Sequence, residues 1–224
     1  MLSDTRIQPA EHEPPETAKI ILGMRHGKTA LDTISNRCDS WVDLPLADLG
    51  REDVVDALSK YLKDFNIKQI FSPSLKRLEE SAHIISTGLP SAPPVTIDDA
   101  MRTWNLGILG GDKKDKERKD IVKDLLSHPG KSAPGGGESY GKFTGRFDAF
   151  LDKQMKAIES GKLQGPILDM LSGSNCRRIG ERFLGDRDAA DLEEGGLLMM
   201  YPDEGGWSVM LISGHSDAVG YEVS

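Results

Sequence analysis

The chain has 224 residues, of which 38% are hydrophobic and 29% charged, and it carries a formal net charge of −8. That length suits one hydrophobic core, and no apolar run approaches the roughly 18 residues that a membrane span requires. The acidic balance argues against general nucleic-acid binding, which depends on Lys and Arg neutralising phosphates. A small anionic substrate is compatible with it, because a few pocket arginines can set a local potential against the global charge.

Residues 1–18 are polar and carry several prolines but no apolar h-region, so they read as a flexible arm and not as a secretory signal. Residues 19–224 then read as one domain. Ile20, Ile21 and Leu22 form a short apolar run that stops at Arg25-His26-Gly27, as a buried parallel strand does at its carboxyl end. After a loop containing Pro45 and Gly50, the segment Arg51 to Asp64 places Val54, Val55, Leu58, Tyr61 and Leu62 at helical spacing. Ile67 to Phe71 predicts a second strand, ending in Ser72-Pro73-Ser74, and Leu75 to Thr87 a second helix. A short strand over Val95 to Ile97 and a polar helix over Asp115 to Ser127 follow. Ser139 to Lys156 carries Phe143, Phe147, Phe150 and Leu151 on one side of a helix. Residues 159–206 read as an insertion, with apolar runs at Ile167 to Leu171 and Leu197 to Tyr201 around a charged stretch. The second of these runs is expected to fold back as an antiparallel partner of a last strand, Trp207 to Ser213, which ends at Gly214-His215-Ser216. Strands alternating with helices imply an α/β three-layer sandwich, a mostly parallel sheet with helices on both faces.

In such a sheet ligands bind beyond the carboxyl ends of the strands. Three predicted strands deliver polar groups there: Arg25-His26-Gly27, Ser72-Pro73-Ser74 with Arg77, and Gly214-His215-Ser216. A neutral histidine ring nitrogen accepts a phosphoryl group when cations neutralise the oxygens and the other nitrogen is held by a hydrogen bond. Arg25 and Arg77 suit the clamp, because guanidinium forks bind phosphate bidentately. His215 adds a donor, and Gly27 lets the backbone approach closely. Cys38 and Cys176 sit in unlike contexts and read as free thiols in a reducing, cytoplasmic setting. Neither they nor the five histidines (His12, His26, His83, His128, His215) have the spacing of a usual zinc site, so no metal or other cofactor is implied.

Arg25-His26-Gly27-Lys28-Thr29, followed by Trp41-Val42-Asp43-Leu44-Pro45-Leu46 and Leu49-Gly50, resembles the opening of the histidine phosphatase superfamily, in its phosphoglycerate mutase-like branch. Ser72 to Ala82, with Arg77, is similar to the second signature of that family. Arg102 to Gly107 with Gly110-Gly111 is similar to its middle motif, and Pro134 to Ser139 with Phe143 and Arg146 to its Gly-Glu-Ser segment. The strand Val209 to His215 looks like the one that bears the second histidine. The resemblance implies that a phosphoryl group moves from a monoester to His26 and then to water or another hydroxyl, without a metal.

The sequence departs from that pattern in places. Thr103 stands where many members have the glutamate that protonates the leaving oxygen, and a hydroxyl is a poor general acid near neutral pH. Asp98, Asp99 and Glu138 are alternatives, each also readable as a loop or capping residue. Asp32 stands where asparagine is usual, so a carboxylate borders the phosphate site unless Lys28 or Arg37 offsets it, and it is itself a candidate acid. Arg177 and Arg178 read as surface residues, and Trp104 and Trp207 as core or pocket wall. The expected activity is a phosphatase using His26, Arg25, Arg77 and His215 on a small phosphorylated metabolite or a phosphoprotein. Neither nucleic acid nor membrane is an expected partner, and a homodimer is left open. The competing reading is a catalytically impaired member with a binding or structural role; a mutase, which needs a well-formed acid, ranks below both.

Overall fold

The computed structural model describes residues 16–35 and 37–214, so most of the N-terminal arm lies outside the described residues. The first strand, β1 (Ile21–Arg25), runs through the middle of a six-stranded sheet. A short helix α1 (Ala30–Ser35) and then α2 (Asp48–Ala57) follow it, and α2 continues into a π-type turn over Leu58–Leu62. Strand β2 (Gln69–Ser72) leads into α3 (Lys76–Gly88), and β3 (Val95–Ile97) into the middle loops. Helix α4 (Lys116–Ser127) is capped by the Asp115 side chain, which accepts from the Arg118 amide at 3.0 Å. Helix α5 (Tyr140–Glu159) is capped in the same way by Ser139. Each cap satisfies an amide that the first helical turn leaves without a partner.

The second half supplies β4 (Ile167–Leu171), the short helix α6 (Gly173–Ile179), β5 (Leu197–Asp203) and β6 (Gly206–Ser213). The strand order is β3-β2-β4-β1-β5-β6. From β3 to β1 every neighbouring pair is parallel, and β5 and β6 add an antiparallel edge. Side chains alternate across the sheet, so each strand feeds two cores. Leu22, Met24, Ile70, Leu168 and Met170 pack with Val54 of α2 and Leu78 and Ile85 of α3. Ile21, Ile167 and Leu171 face the opposite way, against Phe143, Phe147 and Leu151 of α5 and Ile179 of α6. Phe143 and Phe147 stack with centroids 6.2 Å apart. Burying a side chain of that size stabilises the fold by about 2–3 kcal/mol, which makes the apolar stripe of α5 a main fastening of its face.

One expectation requires correction. Residues 159–206 are no insertion: β4 sits between β1 and β2, paired in parallel with both, and β5 flanks β1 on its other side. The charged stretch after β4 is anchored beneath by Cys176, Ile179, Ala190 and Leu192, all buried. Its arginines pair with carboxylates of α5, Arg178 with Asp148 at 2.6 Å and Arg182 with Asp152 at 2.5 Å. The last strand pairs antiparallel with β5 as expected, and it lies at the sheet edge, separated from β1 by β5. The strand whose carboxyl end lies directly beside that of β1 is β4, and it runs into Ser172-Gly173-Ser174. His215 lies outside the described residues.

Candidate active site

β1 delivers His26 to the carboxyl end of the sheet, where the His26 amide donates to the Leu171 carbonyl of β4 at 3.0 Å. The imidazole is buried. Its Nδ1 is 2.8 Å from the carbonyl of Gly27, and its Nε2 is 3.2 Å from Nε of Arg77. A carbonyl can only accept and a guanidinium N–H can only donate, so the hydrogen sits on Nδ1 and the Nε2 lone pair is free of a proton. Burial, reinforced by the Arg77 and Arg25 charges, pushes the His26 pKa well below the ordinary histidine value. The ring is therefore neutral throughout the physiological range, as a nitrogen nucleophile must be.

Arg77, in the first turn of α3, is buried beneath the site. Its other nitrogens donate to the carbonyls of Val42 at 3.0 Å and Ser40 at 2.8 Å. Ser40 is held at φ 44, a left-handed conformation costly for a residue with a Cβ. Its hydroxyl donates to the Trp104 carbonyl at 3.1 Å and accepts from the Leu106 amide at 2.9 Å. The turn that aims a carbonyl at Arg77 is thereby tied to the middle motif. Arg25 is differently engaged. Its guanidinium pairs with Glu194 and donates to the Leu192 carbonyl, while its Nε is buried without a partner among the described residues.

These residues border a cavity of about 250 Å³, lined also by Asp32, Asp39, Thr103, Trp104 and the Ser172-Gly173-Ser174 turn. Thr103 sits in its wall, fixed by a backbone carbonyl that accepts from Trp41 at 2.8 Å and Arg146 at 2.9 Å. Lys114, Arg118 and Lys119, close in the chain, and Arg177 and Arg187 also line the cavity. Among the described residues, no group of three or more His, Cys, Asp or Glu side chains is placed to hold a metal ion.

The structure brings His26, Arg25 and Arg77 together on one cavity. It removes three of the candidate acids from the cavity. Asp98 caps a turn by accepting from the Ala100 amide, Asp99 accepts from Ser74, and Glu138 is held by Arg146 and the Asn105 amide. Asp32 does border the cavity, but its neighbouring cation is Lys114 at 3.8 Å. Lys28 pairs with Asp53, and Arg37 donates to the Gly111 carbonyl. Gly27 has a reason other than phosphate approach. A Cβ there would lie 2.0 Å from the Gly50 carbonyl oxygen, and one on Gly50 would lie 2.0 Å from the Lys28 oxygen. The two glycines permit a backbone crossing behind the histidine. Arg177, expected on the surface, lines the cavity and pairs with Asp191 at 2.6 Å. Trp104 is wall and core together, and Trp207 lies away from the cavity, bonded to Glu159. Sequence reasoning missed Asp39, Lys114 and Arg118. An aspartate two residues after Arg37 and a basic cluster opening a helix carry no distinguishing spacing.

A buried neutral histidine at a parallel-strand end, with an arginine on its free nitrogen and a cationic cavity in front, defines a site suited to phosphoryl chemistry. The chain belongs to the histidine phosphatase superfamily (branch 1), whose family model matches residues 21–190. It is 28% identical over 134 residues to fructose-2,6-bisphosphatase TIGAR B of Danio rerio, and 28% over 147 residues to phosphoglycerate mutase-like protein 4 of Arabidopsis thaliana. The matched segment covers 57% of this chain and 50% of the first protein, and 64% and 63% for the second. The chain thus matches about half to under two thirds of the length of these relatives. Among solved structures, phosphoglycerate mutase from Bacillus anthracis superposes with a TM-score of 0.70 at 21% identity, covering 87% of this chain and 93% of that one. A putative alpha-ribazole-5'-P phosphatase from Escherichia coli superposes with a TM-score of 0.69 at 16% identity, covering 92% and 100%. At those identities the structural likeness speaks for the fold.

Proposed function

We propose that this chain is a phosphomonoester hydrolase acting through a phosphorylated His26. The observation that carries this reading is the state of the imidazole: neutral, with its hydrogen held by the Gly27 carbonyl and Nε2 directed at Arg77 on the cavity wall. Family membership supports the same chemistry, since phosphatases and mutases are among the relatives. The cationic cavity favours a small metabolite with a second anionic group over a phosphoprotein. Free Cys38 and Cys176 agree with a reducing, cytoplasmic setting. Hydrolysis of a panel of phosphomonoesters, including para-nitrophenyl phosphate, tests the proposal. Wild type should turn over at least one of them, His26→Ala should fall to background, and the trapped adduct should be stable to alkali and labile to acid. Equal rates in wild type and His26→Ala would sink it.

One observation favours the competing reading of a binding protein that turns over little. Arg25 is taken up by Glu194 and the Leu192 carbonyl, and Arg77 by His26 and the Ser40 and Val42 carbonyls, so both arginines of the expected clamp are engaged within the protein. Binding of inorganic phosphate without any His26-dependent hydrolysis would decide for it.

A further inference from the structure

The chain has no glutamate at position 103, yet two carboxylates, Asp32 at the usual asparagine position and Asp39, meet at the Thr29 hydroxyl. The Thr29 hydroxyl is 3.1 Å from Oδ2 of Asp32 and 2.9 Å from Oδ1 of Asp39. A hydroxyl has one hydrogen, so it can donate to one of these oxygens only. With both carboxylates ionised, the other contact would set two lone-pair oxygens against each other. One of the two acids must therefore supply a hydrogen of its own.

The surroundings decide which one. Asp32 is supported as an anion, because its Oδ2 also accepts the Thr29 amide at 3.1 Å and Lys114 lies 3.8 Å from its Oδ1. Asp39 is about as buried as Asp32, with 8% of its side chain exposed against 9%, but it has less to support a charge. The nearest cationic atom to it is Nε of Arg77, at 3.5 Å, and the single hydrogen on that nitrogen points to Nε2 of His26 at 3.2 Å. The groups facing Asp39 are thus Thr29, Asp32, Arg77 and, at longer range, Lys114. Burial, with the Asp32 charge adding to it, raises the Asp39 pKa against the opposing pull of Arg77.

Resting on the hydrolase reading above, we propose that Asp39 is the acid that protonates the leaving oxygen, with Thr29 and ionised Asp32 holding its proton in place. In the first step Nε2 of His26 forms a bond to phosphorus, and the bond from phosphorus to the ester oxygen breaks with its electron pair on that oxygen. The Asp39 proton passes to that oxygen and releases an alcohol. In the second step Asp39, now a carboxylate, takes a proton from the water whose oxygen attacks phosphorus. The nitrogen–phosphorus bond breaks, phosphate leaves, and His26 and Asp39 return to their starting forms.

The test compares an ester with a poor leaving group, glycerol 2-phosphate, with one that needs no acid, para-nitrophenyl phosphate. In Asp39→Asn the turnover of the first should fall by about 100-fold or more, the usual contribution of a positioned acid. The first-turnover burst of nitrophenol from the second should persist. In wild type, activity on the alkyl ester should fall as pH rises through the Asp39 pKa, and that limb should move to lower pH in Asp32→Asn. Loss of the nitrophenol burst along with the alkyl-ester turnover, or no loss on either ester, overturns the assignment. Carbon-13 labelling of the aspartates supplies a measurement independent of turnover: the Asp39 carboxyl should titrate above the ordinary aspartate range. Titration of Asp32 there instead overturns the assignment. A wild type with no His26-dependent hydrolysis of either ester removes the hydrolase reading and the acid role with it, while an Asp39 that still titrates high would locate the failure in the reading and not in the proton.

Discussion

At the scale of single residues, the site is set by which donors are already spent. Arg77 uses one nitrogen on His26 and two on the backbone carbonyls of Ser40 and Val42, so it orients the nucleophile before any substrate arrives. Lysine at this position, a point charge, would lack the planar fork that reaches three acceptors at once. Arg25 is the adjustable member, because its guanidinium borders the cavity while pairing with largely buried Glu194. A phosphate entering the cavity competes with that carboxylate. Glu194→Gln keeps the acceptor oxygen and removes the charge, so inorganic phosphate should inhibit the variant at about fivefold lower concentration, which corresponds to about 1 kcal/mol. Inhibition constants measured at fixed ionic strength check this. Weaker inhibition would instead make Glu194 the residue that aims Arg25.

At the scale of elements, the middle of the sheet holds a charge problem. Asp169 lies in β4 with both neighbours parallel, fully buried; one oxygen accepts from Gln154 at 2.9 Å and the other has no partner among the described residues. Burial pushes its pKa up to about 7. A carboxyl whose pKa is raised by folding binds more protons in the folded state, so its contribution to stability is full below the ordinary carboxylate range. That contribution is lost as pH rises from there through about 7, at about 1.4 kcal/mol for each pH unit crossed. Denaturant midpoints should therefore decline between about pH 4 and 7, and Asp169→Asn should flatten that decline. A variant with an unchanged slope would show that another group governs it. The same strand marks the limit of what the sequence made legible. β1, β2 and β3 were readable because each apolar run stops at a recognisable polar turn, and α3 and α5 because their apolar residues recur at helical spacing. β4 was hidden because a five-residue run buried on both faces has no periodicity to read. The arginines that follow it suggested a solvated surface, whereas several are paired with α5. The histidine and arginine of the site were legible from their motifs, while Asp39 was not, since its role depends on Thr29 and Asp32 meeting it through a loop.

At the scale of the molecule, the charge is distributed against its sum. The chain carries −8 overall, yet Arg25, Arg77, Lys114, Arg118, Lys119, Arg177 and Arg187 gather on one cavity, opposed there by Asp32 and Asp39. Several are already neutralised locally, Arg177 by Asp191 and Lys114 in part by Asp32, and Arg187 lies over the Tyr140 ring. Arg118 differs, with a buried Nε that has no partner among the described residues. A cationic cavity on an acidic body focuses the field into the cavity and repels anions elsewhere, and under the proposed function this should favour ligands with a second anionic group. Arg118→Ala should therefore raise KM for a bisphosphate ester about tenfold, equivalent to about 1.4 kcal/mol, and raise it much less for para-nitrophenyl phosphate, which has no second anionic group. The wild-type kcat/KM for the bisphosphate should fall as salt is raised across the range where screening shortens below about 10 Å, and the variant should show a shallower dependence. Equal KM changes for the two esters would mean that the cavity cations serve the fold or the phosphate already at His26, and not a second anionic group.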